Sequence, residues 1–130
     1  MSRAFAPAQA AYLLARAAAD LCNEEARAHS DAYDAFCERE TAGMTEEQER
    51  AWTAAQIANA QPSPVLARQV AALSALRAAE DALIAWCLDS AAAVARTATE
   101  RAALETCRNL GAKSYAGRPK LIELAMRLAA

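Results

Sequence analysis

The stretch that decides the fold is VLARQVAALSALRAAEDALIAWCLDSAAAVARTATERAALETCRNL, residues 65–110, which contains neither glycine nor proline. Residues 8–42 also lack both, so all three glycines and all four prolines lie outside these two stretches. Proline suits the first turn of a helix and glycine the position just past its end, because each fits the backbone geometry there. This spacing predicts long helices joined by short connections.

The composition favours helices over strands. The 130 residues include 39 alanines but only 3 valines and 3 isoleucines. Alanine has the highest helix propensity, whereas β-branched residues are typical of sheets. Alanine also buries little apolar area, so the core of such a chain is thin. We therefore expect an all-α protein in which self-association completes the burial of the helix faces.

Capping residues divide the chain into four predicted helices, at about 7–42, 45–60, 64–110 and 119–129, within a single helical domain spanning 1–130. Thr45 and Gln48 match a capping box, and Ser63 with Pro64 matches a helix start. A loop is expected over 112–117. The third helix is predicted to be continuous or slightly kinked, although residues 97–100 match a second capping box. The expected architecture is a long antiparallel helical hairpin closed by two shorter helices, a coiled-coil-like bundle completed by dimerisation.

Two neighbouring rows of apolar or small residues run along the first predicted helix. The first row is Ala8, Tyr12, Ala15, Ala19, Cys22, Ala26, His29, Tyr33 and Phe36. The second row is Ala11, Leu14, Ala18, Leu21, Ala28, Ala32 and Ala35. Both rows follow a spacing of three and four residues, which predicts a stripe wide enough to be buried against more than one neighbour.

Charge is distributed unevenly along the chain. Residues 20–50 contain ten acidic side chains and three arginines, a balance of −7, although the whole chain carries only −2. We consider part of this segment an interaction surface, formed by Glu38, Glu46, Glu47 and Glu49. From residue 107 onward a basic C-terminal patch faces a single acid, Glu123, and is formed by Arg108, Lys113, Arg118, Lys120 and Arg127. Such asymmetry can attract complementary surfaces.

The single histidine is the first candidate for catalysis or metal binding. Cys22, Glu25 and His29 lie on one side of the first helix, which makes them weak candidates for metal ligands. However, helical di-metal proteins use Glu-x-x-His on two helices, and here the spacing is Glu-x-x-x-His in one copy. No glycine-rich phosphate loop or nucleophile elbow is present. We therefore expect no catalytic residues, no metal and no cofactor, and predict that the protein is not an enzyme.

The segment Gly117-Arg118-Pro119-Lys120 resembles the Gly-Arg-Pro core of an AT-hook. Ala116 stands where that motif needs a basic residue, and the proline also fits a helix start. A pI of about 5.4 argues against strong phosphate affinity. Nucleic acid is therefore not an expected partner. No charge-free apolar window reaches membrane-spanning length and no signal peptide is evident, so a cytoplasmic protein is expected.

The function that follows is non-catalytic. We expect a helical protein-interaction module: a dimerising scaffold, adaptor or regulator that forms a homo-oligomer and binds another protein, which could be basic. A second interpretation is an acidic, phage-type inhibitor that mimics nucleic acid and docks on a basic partner. A third is a metal-binding protein or enzyme built around Cys22, Glu25 and His29.

Overall fold

The computed structural model describes residues 4–111 and 113–130, and every regular element in this part of the chain is helical. The helices are α1 (Pro7–Thr41), α2 (Glu46–Ala58), α3 (Pro64–Val94), α4 (Ala98–Thr106) and α5 (Gly117–Arg127). A π-helical turn, Cys107–Gly111, directly follows α4. The structure is 82% helix, which confirms the predicted all-α class. None of these described helices combines the length and the apolar character needed to cross a membrane.

The first two connections form as predicted. Gly43 follows α1 with φ of +79°, a left-handed conformation that costs glycine little. The Thr45 side chain accepts a hydrogen bond from the Gln48 N–H at 3.2 Å, and Gln48 Oε1 accepts one from the Thr45 N–H at 3.0 Å. The Ser63 hydroxyl likewise accepts from the Leu66 N–H at 3.3 Å, at the start of α3.

The prediction of one helix over 64–110 is wrong, because α3 ends at Val94 and α4 begins at Ala98. Thr97 forms a full capping box with Glu100: its hydroxyl accepts from the Glu100 N–H at 3.1 Å. Glu100 also accepts a 2.7 Å hydrogen bond from the Arg96 N–H. These bonds satisfy N–H groups that a new helix start leaves unpaired, so the interruption costs little. The last helix also differs, since it starts at Gly117, two residues before Pro119.

The predicted loop over 112–117 is described only from residue 113 onward, since residue 112 lies outside the described residues. Residues 113–116 form turns before α5. The Ser114 hydroxyl accepts a 3.1 Å hydrogen bond from the Gly117 N–H, which supports the first turn of α5 from the preceding segment.

The chain forms two compact units, unit 1 (Met1–Ala17 and Ser74–Ala130) and unit 2 (Ala18–Leu73). Unit 1 contains a continuous hydrophobic core, to which α1, α3 and α5 all contribute. Its buried members are Tyr12, Leu83, Ile84, Cys87, Leu88, Ile122 and Ala125. Leu83 is fully buried, as expected for a packing anchor of α3. Leu104 of α4 packs against the same core while remaining partly exposed.

One polar side chain is enclosed in unit 1. Gln9 is fully buried, and its Oε1 accepts a 2.9 Å hydrogen bond from the Ala6 N–H. Its Nε2 donates to the carbonyls of Ala125 and Leu128, at 2.8 and 2.9 Å. Buried polar groups are stabilising only when they are paired, and this amide pairs three main-chain groups. Gln9 therefore ties the start of α1 to the end of α5.

Unit 2 differs in how little it buries. Of residues 18–73, all of which the structure describes, only Ala19 and Ala26 are buried. Its α1 and α3 segments are joined by polar contacts: Asn23 accepts a 2.9 Å hydrogen bond from Gln69, and Glu25 pairs with Arg68. Its aromatic residues pack against one another. The centroids of Tyr33 and Phe36 are 6.1 Å apart, and those of Phe36 and Trp52 are 5.9 Å apart.

The two predicted rows of α1 have different environments. The first row is largely covered: Tyr12, Ala19 and Ala26 are buried, although His29 and Tyr33 are exposed. The second row is exposed along its whole length, and Leu14 and Leu21 are 73% and 67% exposed. Within the described residues, only the first row of the predicted stripe is covered, and burial of the second row by self-association stays a prediction.

Truncation of Leu83 tests the core of unit 1. We expect Leu83→Ala to lower the free energy of unfolding by about 2–5 kcal/mol, because it removes buried apolar atoms and leaves a cavity. Leu14→Ala on the exposed row is the matched control, and should change stability by less than about 0.5 kcal/mol. Urea denaturation of both variants measures the difference. Equal losses for the two variants would contradict the assignment of the core.

Replacement of Gln9 tests the buried amide. Gln9→Leu has a similar size but leaves three main-chain groups of Ala6, Ala125 and Leu128 without this partner. Since an unpaired buried polar group costs about 1–3 kcal/mol, we expect a loss of roughly 3 kcal/mol or more. The exposed Gln61→Leu serves as control. A Gln9→Leu variant that melts like the control would show that the amide is not needed to close unit 1.

Candidate functional site

The predicted metal trio does not assemble into a site. The Glu25 carboxylate pairs with Arg68, His29 is exposed, and Cys22 is half-buried. Within residues 4–111 and 113–130, no group of three or more His, Cys, Asp or Glu side chains is arranged to hold a metal ion. The continuous α1 helix places Cys22 and His29 about two turns apart, which separates them along the axis by roughly 10 Å.

Three of the four predicted acidic residues lie around neighbouring clefts of unit 2. Glu38 of α1 and Glu49 of α2 line one cleft of about 400 Å³ together with Tyr33 and Trp52. Glu46 and Glu49 line a second cleft, of about 480 Å³, and Ile57 lines both. Glu47 contributes to neither of these two clefts. We call the first of them the acidic–aromatic cleft, defined by Tyr33, Glu38, Glu49, Trp52 and Ile57.

The acidic–aromatic cleft combines apolar and charged side chains that water can reach. Tyr33 is 47% and Ile57 73% exposed, and Trp52 is half-buried against Phe36. A hydrogen bond to the Cys37 side chain raises the pKa of the Tyr33 hydroxyl, so the phenol remains neutral. Neutral rings flanked by carboxylates can accept an apolar side chain and a cation from the same partner. Periodicity placed Tyr33 in a buried row and so missed this role.

The predicted basic patch is divided among different surroundings. Arg108 pairs with Asp89 at 3.2 Å, and Arg127 pairs with Glu123. Arg118 is largely buried and pairs with Asp81 at 2.8 Å and with Glu80 at 3.4 Å. Lys113 and Lys120 are exposed. Arg108 shares a cleft with Lys113 and Arg118, whereas Lys120 does not line it, so the five residues do not all gather at one site.

Part of this patch does gather around a cleft of unit 1. Lys113, Arg118 and Arg127 line it together with two residues that sequence reasoning missed, Arg16 and Arg77. We call it the basic cleft; its volume is about 850 Å³. Its cationic residues come from α1, α3, α5 and residue 113, so no local pattern in the sequence brings them together.

The AT-hook-like segment has a different structure from an extended minor-groove binder. Residues 117–120 form the first turn of α5, as expected for a helix start near Pro119. The Arg118 guanidinium is engaged by Glu80 and Asp81 of α3. This arginine therefore belongs to the wall of the basic cleft.

Another cleft, of about 480 Å³, is mainly apolar and lies between α3, α4 and α5. Cys87 and Cys107 both line it. Burial raises the pKa of the Cys87 thiol, and the nearby Cys107 adds to this effect. A thiol with a raised pKa is mostly protonated near neutral pH and is a poor nucleophile. Cys87 is therefore better suited to packing than to covalent chemistry.

The comparisons with known proteins identify no relative. No protein-family model matches the chain, and no curated protein or solved structure is significantly similar to it.

Proposed function

We propose that the protein is a non-catalytic helical scaffold that self-associates through unit 2. The observation that carries this proposal is the burial of only two alanines among residues 18–73. A helical segment gains most of its stability from tertiary packing of an apolar face. Two buried alanines supply little of this stability, whereas a second copy can cover the apolar side chains that unit 2 exposes.

The centre of the proposed interface is a row on α3 formed by Leu66, Val70 and Leu73. All three side chains are exposed, and Val70 most of all at 64%. Their spacing of four and three residues places them along one side of the helix, as at the seam of a coiled coil. Full burial of such a side chain contributes roughly 1.5–3 kcal/mol relative to exposure. Since about half of each side chain is still exposed, covering three of them in each copy supplies roughly half of this value per side chain in favour of association.

The row faces away from the contacts inside unit 2. Val65, Gln69 and Ala72, each one residue before a member of the row, are half-buried, and Gln69 donates to Asn23 of α1. Asn23 precedes Glu25 along α1, whereas their partners on α3 follow in the reverse order, with Gln69 after Arg68. This reversed order is expected of an antiparallel hairpin. Two such hairpins that meet along the row would form a four-helix bundle.

A charge introduced into the row tests the interface. We expect the unmodified protein to sediment as a dimer at micromolar concentration. Val70→Glu should raise the dissociation constant of the dimer roughly 100-fold, because burial of an unpaired carboxylate is costly. Ala71→Glu carries the same charge at the next, exposed position and should leave the dimer intact. Sedimentation equilibrium measures the association, and circular dichroism checks the helix content.

Two results would contradict this proposal. One is an unmodified protein that is still monomeric at a concentration about a hundredfold above the micromolar range. The other is equal association of Val70→Glu and Ala71→Glu. If Leu21→Glu instead dissociates the dimer, the exposed row of α1 is the interface and the α3 row is not.

A second candidate function is favoured by the acidic–aromatic cleft. Its exposed Tyr33 ring, the half-buried Trp52 ring and the carboxylates of Glu38 and Glu49 suit a basic partner that also presents apolar side chains. In this role the protein is an adaptor or an acidic inhibitor that occupies the surface by which such a partner binds nucleic acid. This second proposal assigns the basic protein partner to the acidic–aromatic cleft.

Charge reversal tests this second function with a fluorescent helical peptide of lysines and leucines as probe. Reversal of Glu38, Glu46 and Glu49 to lysine should weaken binding by at least roughly tenfold, because attraction becomes repulsion. Loss of Glu46 from the first turn of α2 should also lower stability slightly. The control reverses three other exposed acids of α1, Asp20, Glu24 and Asp31. Equal weakening in both variants would mean that general acidity, not the cleft, binds the peptide.

A further inference from the structure

We propose that the basic cleft of unit 1 is a binding site for a small phosphate monoester that carries an aromatic group. The cleft is formed by the start of α1, the middle of α3, residues 113–116 and α5. Its volume of about 850 Å³ falls within the range of roughly 300–1,000 Å³ that is usual for sites of small ligands. This binding role is independent of self-association through unit 2.

The charges that line the basic cleft favour an anion. Five cationic side chains line it, against the two carboxylates of Glu80 and Glu123. Asp81, just outside the lining, pairs with Arg118 and Arg77, so the local excess is two positive charges. Glu123 pairs with Arg127, and Glu80 with Arg118. Lys113 is exposed at the cleft. A phosphate monoester carries close to two negative charges near neutral pH, which matches this excess better than a carboxylate does.

Arg118 supplies a second, independent observation. Its side chain is only 11% exposed, and its Nη2 donates to Glu80, to Asp81 and to the Arg77 carbonyl. Its Nε is buried and has no hydrogen-bond partner in the described part of the structure. A buried donor without a partner is costly, and a guanidinium that also lines a cleft is suited to phosphate oxygens.

The other residues that line the basic cleft suit the aromatic group of the proposed ligand. Leu13, Ile122 and Met126 supply apolar surface beside the arginines. Tyr115 stands at the cleft with its side chain 99% exposed. An aromatic ring so fully in water is available to stack on a flat ligand, and the apolar surface can cover the other side of that ligand. Phosphate recognition and ring stacking thus occur in one cleft.

The test is calorimetric titration of the full chain with phenyl phosphate, adenosine 5′-monophosphate, adenosine and inorganic phosphate. We expect both phosphate esters to bind at least about tenfold more tightly than adenosine or inorganic phosphate, because only the esters satisfy both parts of the cleft. The proposal is wrong if neither ester binds at about 1 mM, or if adenosine binds as tightly as its monophosphate. Much tighter binding of single-stranded oligo-dA would also overturn it and indicate a nucleic-acid surface.

Variants locate the binding. Lys113→Ala and Tyr115→Ala alter exposed side chains and should each weaken binding of the esters about tenfold, through loss of a charge-assisted hydrogen bond and of stacking respectively. Lys120→Ala removes an equally exposed lysine of α5 that does not line the cleft, and should change affinity less than about twofold. Unchanged affinity in both Lys113→Ala and Tyr115→Ala would place the ligand elsewhere and overturn the proposal.

Discussion

The buried amide of Gln9 is the interaction on which unit 1 depends. It accepts from one N–H group before α1 and donates to two carbonyls at the end of α5. Two chain segments 116 residues apart are therefore held in a fixed position relative to each other. Tyr12 and Arg16 follow on the same side of α1, while Ile122 and Met126 lie on α5. These are residues of the basic cleft, so the geometry of the cleft follows from how Gln9 joins the two helices.

The two units obtain their stability from different sources. Unit 1 packs branched and aromatic side chains around Leu83, whereas unit 2 relies on two buried alanines, polar contacts and an aromatic stack. Local stability follows buried apolar contact, so unit 2 is the first to open unless something covers it. A segment that exposes Leu66, Val70 and Leu73 is costly in a monomer but useful at an interface. The weakness of unit 2 is therefore an argument for a partner.

Local signals in the sequence predicted the helices well, because they depend on few neighbouring residues. Thr45 with Gln48 and Gly43 act within one turn, and the structure has them as expected. The capping box at residues 97–100 was visible in the sequence, but Thr97 and Glu100 also fit a continuous helix; in the structure they form the box, and α4 begins at Ala98. Periodicity likewise identified the rows on α1 but not which one has a neighbour.

The candidate sites were harder to predict, because distant segments build them. No local pattern marks Gln9 as buried, because the carbonyls that its amide pairs, those of Ala125 and Leu128, lie at the other end of the chain. The basic cleft needed Arg16 and Arg77, whose positions near Arg118 follow only from the fold. The acidic segment was recognisable by composition, since its charges are close in sequence. The aromatic side chains beside it were not recognisable as part of a site. Tyr33 continues the first row of α1, in which Tyr12, Ala19 and Ala26 are buried.

Salt has opposite effects on the two interactions proposed for unit 2. Two copies that meet through unit 2 both bring the segment 20–50, with its balance of −7, so electrostatic repulsion opposes an association driven by apolar contact. Screening weakens that repulsion, since the Debye length falls from about 10 Å at 0.1 M to roughly 3 Å at 1 M. Added salt therefore strengthens self-association. The same screening weakens the attraction between Glu38, Glu49 and a basic partner, so ionic strength shifts the two proposed interactions in opposite directions.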